Sequence, residues 1–397
     1  MPSRRSMLGK LAATAGVGVA GCATGSPPGL PLDANPHPVP SRQYAQHDVL
    51  RRDTDGNVLQ ARHRRLLLLD LKASPSQRAA ETVERALRGV ERAFDWAPDG
   101  LFHALAWGSK YFADNDALGR VPIEHPTVLT RTDDEELQRF DALLVLESDV
   151  PSHLPAAESA LFGARNELNG EPVDHTLADV FVRRDRRTGF LGEGLPAEHV
   201  DVEGLEADAP MFSGFFSGRE GSQATEDAIA IPDGPLAGGT TAHLSHISFD
   251  LPTWFDFDEA DRVHKMFSSE FSPEDVAELT TDVPFADEVR EHAREHGSVG
   301  HHEKVARVRR DGKPLLLRRD FNTVDGGVTG VHFLSYQRIL DHFRRTRKSM
   351  NGWYLRDDHP NITDRENNGI LNVISTTKRA NFVVPPREKR AFPLTVT

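Results

Sequence analysis

The chain has 397 residues, room for two domains at the usual ~100–200 residues each. Hydrophobic residues at 38% and charged residues at 27% permit a packed core and exclude wholesale disorder, and a net charge of -13 excludes nucleic acid as the main partner. A single cysteine, Cys22, excludes disulfides, Cys-ligated zinc and Cys-ligated iron–sulfur clusters.

The basic residues are 9 Lys and 38 Arg, a bias suggesting a high-salt or high-GC source. Residues 1–22 read as an export address. Arg4, Arg5 and Lys10 precede an apolar run ending in Val19-Ala20-Gly21-Cys22, too short to span a bilayer. Ser3-Arg4-Arg5-Ser6-Met7-Leu8 resembles a twin-arginine signal, and Val19–Cys22 resembles a lipobox in which the cysteine is lipidated. Removing residues 1–21 leaves a charge of (47 − 3) − 60 = −16. Residues 23–60 are proline-rich and then polar, and are expected to tether the body to the outer face of the cytoplasmic membrane.

From residue 61 the pattern is globular. Leu66–Leu71 predicts a buried strand, and Ser74-Pro75 opens a helix with Val83, Leu87 and Val90 on one face. Strands follow over Leu101–Trp107 and Phe140–Glu147, with a helix over Pro155–Phe162. A second half, from residue 209, predicts strands over Ala242–Asp250, Leu315–Phe321, Gly330–Tyr336 and Asn381–Val384. Its helices are Glu259–Phe267, Asp287–Glu295 and Arg338–Met350. Strand–helix–strand repeated in the first half is the ferredoxin-like order, and the second half repeats the rhythm loosely, giving regions 61–208 and 209–397; alternation alone fits several α+β or α/β folds.

Four histidines crowd into eleven residues: His292, His296, His301 and His302. His292 and His296, at i and i+4, share a helix face, a spacing that suits zinc with His301 as a third ligand. An exposed polar helix end is the alternative.

The second half also carries a series of short motifs in order: Gly214-Phe215-Phe216-Ser217-Gly218, Gly238-Gly239-Thr240, Asp250-Leu251-Pro252-Thr253-Trp254, His301-His302 with Ala306, Leu317-Arg318-Arg319, and Gly330–Gln337. Together they resemble the dye-decolourising (DyP-type) haem peroxidases over about residues 62–386. The resemblance implies two ferredoxin-like domains closed as in dimeric α+β barrels, with haem b in the C-terminal one. It implies His302 as the iron ligand, four residues before Ala306, with His301 its rival. Arg318 takes the distal-arginine position, and Arg319, His246 and, by weaker analogy, Asn322 are its implied neighbours around the cofactor. The partners implied are hydrogen peroxide and a reducing substrate; assembly into a homo-oligomer stays open. Trp254, Trp353, Tyr336 and Tyr354 offer a path for electrons, though aromatics are more often core.

Ser217 departs from the family, which keeps a proton-shuttling aspartate there. A serine hydroxyl is too weak an acid or base for that task. Glu220 is the next carboxylate in the loop. Three readings therefore remain: a peroxidase weakened by Ser217, a haem-binding surface lipoprotein without turnover, and a haem-free relative binding metal through the histidine cluster.

Overall fold

Four consecutive leucines set the register of the first half. In strand β1 (His63–Leu71), alternation turns Leu67 and Leu69 to one side and Leu66 and Leu68 to the other, and all four are fully buried. A strand buried on both faces must lie between two layers. Helix α1 (Gln77–Ala93) supplies the outer layer, burying Val83, Leu87 and Val90 against Leu67 and Leu69. At ~1.5–3 kcal/mol per large apolar side chain, such contacts are the main source of stability.

The computed structural model describes residues 39–281 and 288–395. The export address and Cys22 lie outside these. Among the described residues, no helix is long and apolar enough to cross a membrane.

The first half continues with β2 (Phe102–Gly108), β3 (Ala142–Ser148), helix α2 (His153–Leu161) and β4 (Phe181–Phe190). Its strands lie side by side in the order β4-β1-β3-β2. The second half has β5 (Thr240–Phe249), α3 (Leu251–Asp256), α4 (Glu259–Met266), α5 (Val289–His296), α6 (His301–Ala306), β6 (Leu317–Arg318), β7 (Phe321–Thr323), β8 (Gly330–Gln337), α7 (Leu340–Asn351) and β9 (Ile374–Val384). Its order β9-β5-β8-β7 is the same permutation, so each half is ferredoxin-like. All of these pairings are antiparallel.

The halves join at two seams: β4 meets β7 at Phe190–Asn322, and β2 meets β9 at Trp107–Val383 and Gly108–Phe382. The sheet thereby closes on itself as a ring. At the first seam Gly189 is required, because a Cβ there would sit 2.0 Å from the carbonyl oxygen of Asn322. Inside the ring lie Leu66, Leu68, Ala104, Leu143, Leu244, Phe321 and Phe382, around a buried ion pair of Arg64 and Glu147 at 2.9 Å.

Part of the stretch read as a tether behaves otherwise. Gln43 exchanges side-chain bonds with the backbone of Leu105 (3.1 and 3.0 Å) and donates to Pro385 O (2.9 Å), while Tyr44 is buried. Residues 39–60 therefore belong to the body. Composition misled here because the apolar anchors, such as Tyr44 and Leu50, are few and scattered among polar residues.

Candidate active site

A cavity of about 220 Å³ opens on the outer face of the second half's sheet, far more than the ~10–15 Å³ one water needs. Its floor is the outward face of β5 and β8, through Ile247, Phe249, Val331 and Phe333. Helices α6 and α7, the end of α4 and the loop over residues 211–222 form its walls, adding Phe215, Phe267, Val305 and Met350. Most of the lining is apolar; the imidazoles come from one element, and Arg318, Asp320 and Asn322 from another.

The first is helix α6, which puts both His301 and His302 on the cavity. Its first turn is held by Glu303, whose Oε1 accepts the N–H of Gly300 at 2.6 Å and whose Oε2 lies 2.7 Å from His292 Nδ1. The next residue, Lys304, is wholly buried and donates to Met350 O (2.9 Å) and to Asn368 O and Oδ1 (2.8 and 2.6 Å). Gly369 lies against the helix start, where a Cβ would come within 3.0 Å of the His301 backbone. Burial, with Lys304, His302 and Arg318 nearby, holds His301 well below the ordinary imidazole range. It is neutral, the form that ligates a metal. His302 stacks on Phe267 with centroids 6.1 Å apart.

The second element is the strand pair β6–β7 with the link between them. Leu317 and Phe321 face the interior of the ring. Period-two alternation accordingly turns Arg318, Asp320 and Asn322 to the cavity, and all three line it. Arg318 donates to the Ser217 carbonyl at 2.7 Å and its N–H to Gln223 Oε1 at 2.8 Å, tying the loop to the strand. Ser217 also lines the cavity.

Other expected site residues lie elsewhere. Arg319 has the opposite parity: it is buried inside the ring, 3.7 Å from Glu226, and is absent from the cavity lining. Glu220 is exposed, its N–H bound to Asn57 Oδ1 at 2.8 Å, and does not reach the cavity. His246 packs beside His332, centroids 4.8 Å apart, with Nδ1 3.0 Å from Thr377 Oγ1, and it too is outside the lining. The zinc reading finds no ligand cluster: His292 Nδ1 lies 2.7 Å from Glu303 Oε2, and His296 Nε2 lies 2.7 Å from Glu270 Oε1. Among the described residues no group of three or more His, Cys, Asp or Glu is placed to hold a metal.

Of the aromatics, Trp254 is wholly buried and donates to Ser213 O at 3.1 Å, while Trp353 is exposed beneath Arg131. Tyr336 faces the ring interior, and Tyr354 lies under Arg307. Asp320 was not singled out from sequence. It follows two arginines in a stretch too short for alternation to be read, although the parity of Phe321 was the available signal.

Two residues of the lining, Asp320 and Asn322, each hold an enclosed polar atom without a hydrogen-bond partner, Oδ1 and Nδ2. A flat, largely apolar group with a metal at its centre and acidic substituents fits this lining. The imidazoles of α6 supply nitrogen donors, and Arg219, Arg309 and Arg318 supply positive charge at the walls.

No curated protein matches the chain. A family model described as "Family of unknown function (DUF7405)" matches residues 61–386. Among solved structures, a dye-decolorizing protein from V. cholerae is similar with 14% identity and a TM-score of 0.58, over 87% of this chain and 99% of that one. A DyP-type peroxidase from Cellulomonas bogoriensis gives 16% and 0.57, over 86% and 96%. A variant of DypB from Rhodococcus jostii RHA1, in complex with heme, gives 14% and 0.55, over 88% and 98%. At such identities the likeness establishes the ferredoxin-like α+β fold.

Proposed function

The chain belongs to the DUF7405 family of unknown function, and on that premise we propose that it is a haem b protein with the peroxidase chemistry of the DyP type. One observation carries this reading: a mainly apolar cavity lined both by the imidazoles of His301 and His302 and by the permanent cation of Arg318. When bound there, haem would supply an iron centre able to react with hydrogen peroxide and then to take electrons from a reducing substrate. The protein's part is local. His302 holds the metal, with His301 as the adjacent candidate. The network of Glu303 and Lys304 fixes the start of α6, the turn that carries those rings. Arg318, anchored to the Ser217 carbonyl, stabilises negative charge that develops on a departing oxygen. The apolar walls exclude bulk water.

The test is reconstitution of purified protein with haemin, followed by absorbance and by peroxide-driven oxidation of a dye. A Soret band with dye oxidation supports the reading, and no Soret band after reconstitution overturns it. A haem-binding protein without turnover is the second reading, favoured by the serine at Ser217. It predicts the Soret band with no dye oxidation. For location, we propose export and lipidation at Cys22, tested by fractionating cells carrying Cys22→Ser; membrane retention of that variant overturns the anchor.

A further inference from the structure

The cavity holds one carboxylic acid among the described residues, and it belongs neither to Ser217's position nor to Glu220. It is Asp320. From this we propose that Asp320 is the acid–base group of the cavity, a role that rests on the haem reading above. Three observations converge. Asp320 shares the cavity face with Arg318 and Asn322 because the three alternate along one extended stretch. Its backbone is pinned from behind, since Arg64 Nη1 donates to its carbonyl oxygen at 3.1 Å. Its side chain is only 8% exposed, with Oδ1 sealed from solvent and unbonded.

Asn322, two residues on, leaves a complementary gap. Its Oδ1 takes the N–H of Phe212 at 3.0 Å, while Nδ2, fully buried, has no acceptor. Asp320 and Asn322 thus belong to the same cavity lining, and each keeps one enclosed polar atom uncommitted to any other side chain. The other titratable groups on the lining are Arg318, Arg219, Arg309, His301 and His302. The arginines cannot accept a proton, and one imidazole is committed to the metal in this reading.

The step assigned to Asp320 is a proton transfer only. Its carboxylate takes the proton from one oxygen of H–O–O–H and returns it to the other. One O–H bond breaks and one forms, with no change of oxidation state; the O–O cleavage that would then release water needs two electrons, which bound haem would supply. The same carboxylate should accept the proton released when hydrogen cyanide binds as cyanide, which gives a readout independent of turnover.

The experiment uses the full chain reconstituted with haemin and measures cyanide association by stopped flow at pH 6–7, where the ligand arrives as neutral acid. Asp320→Asn should keep the Soret band and slow association by ~10²-fold, the scale of positioned acid–base catalysis. Glu220→Gln, outside the cavity lining, should bind cyanide at the parent rate, and the reduced Asp320→Asn variant should bind carbon monoxide at the parent rate, since that ligand carries no proton. An Asp320→Asn rate within twofold of the parent overturns the proposal and leaves the haem reading standing. Should the Asn variant fail to load haem, Asp320→Glu decides: loading with a rate within tenfold of the parent supports the proposal, and a hundredfold loss overturns it. Absence of a Soret band in the parent itself removes the haem reading, and this inference with it.

Discussion

His292 Nδ1 lies 2.7 Å from Glu303 Oε2, and the other oxygen of that carboxylate accepts the N–H of Gly300 at 2.6 Å. One buried side chain therefore ties helix α5 to the first turn of α6, the turn that carries both cavity histidines. Burial raises the Glu303 carboxyl above its ordinary range, against the pull of the Gly300 N–H and of His292. A pair that looks from sequence like half of a zinc site is a helix clamp.

Glu303→Ala should leave the Gly300 N–H and the His292 ring without their partner. The expected cost is ~1–3 kcal/mol of stability, with weaker haem uptake because α6 is no longer fixed at its start. Denaturant melts of the apoprotein and a haemin titration check both parts. Added zinc should leave the parent's melting temperature unchanged; a rise would restore the metal reading of His292 and His296.

The two cavity histidines are distinguished by substitution. His302→Ala should abolish the Soret band after reconstitution, because it removes the strong bond to iron, whereas His301→Ala should largely keep it. The opposite order would move the ligand to His301, the residue whose backbone lies under Gly369.

Much of the architecture was readable because long apolar strands and amphipathic helices have strong periodicity. Leu66–Leu69 and the Val83, Leu87, Val90 face gave β1 and α1 directly. Strand β4 was missed, since Arg183, Arg184, Asp185 and Arg186 in its middle look like a solvated loop; the three arginines are exposed even as the strand pairs with β1 and bridges to β7. Closure of the ring rests on pairings between residues nearly 300 positions apart, Trp107 with Val383 for one, and no local pattern encodes those. Within the site, Arg318, Ser217, His301 and His302 were picked out by motif and all line the cavity. Arg319 and Asp320 depended on strand parity, which two-residue strand β6 was too short to declare.

Ser217→Asp gives a further test of how the cavity handles protons. Ser217 is held next to Arg318 through its carbonyl, so a carboxylate introduced there stands near a permanent cation. With Asp320 already acting, the single substitution should raise peroxide-driven turnover by less than ~10-fold. In the Asp320→Asn background the same change should restore most of the ~10²-fold loss, because a positioned carboxylate is what is missing. Equal effects in both backgrounds would mean the two positions do not share one role.

Acid should destabilise the fold in two stages, and buried groups away from the cavity contribute to both. Burial is the main cause that lowers His103 from 6.5 to about 4, opposed by Glu91 and reinforced by Arg387. The folded state therefore keeps His103 neutral while the unfolded chain takes up a proton, so stability is full above pH 6.5 and falls as pH drops toward about 4. His246 is likewise lowered to about 4 by burial and by His332, which adds to the same window. A second loss follows at lower pH. Burial alone would raise Asp325, but bonds from His332 and Thr188 hold it at about 2 against an ordinary 3.8, so its contribution disappears between those values. His103→Gln removes one titrating group from the first stage and leaves Arg387 and Arg390 on Glu91. Urea melts between pH 7 and 4 should then show a shallower decline, by up to ~1.4 kcal/mol per pH unit, with on the order of 3 kcal/mol regained at the acid end. If the variant and the parent lose stability with the same slope, His103 is not held neutral in the fold, and the buried Glu91–Arg387–Arg390 cluster must accommodate its charge.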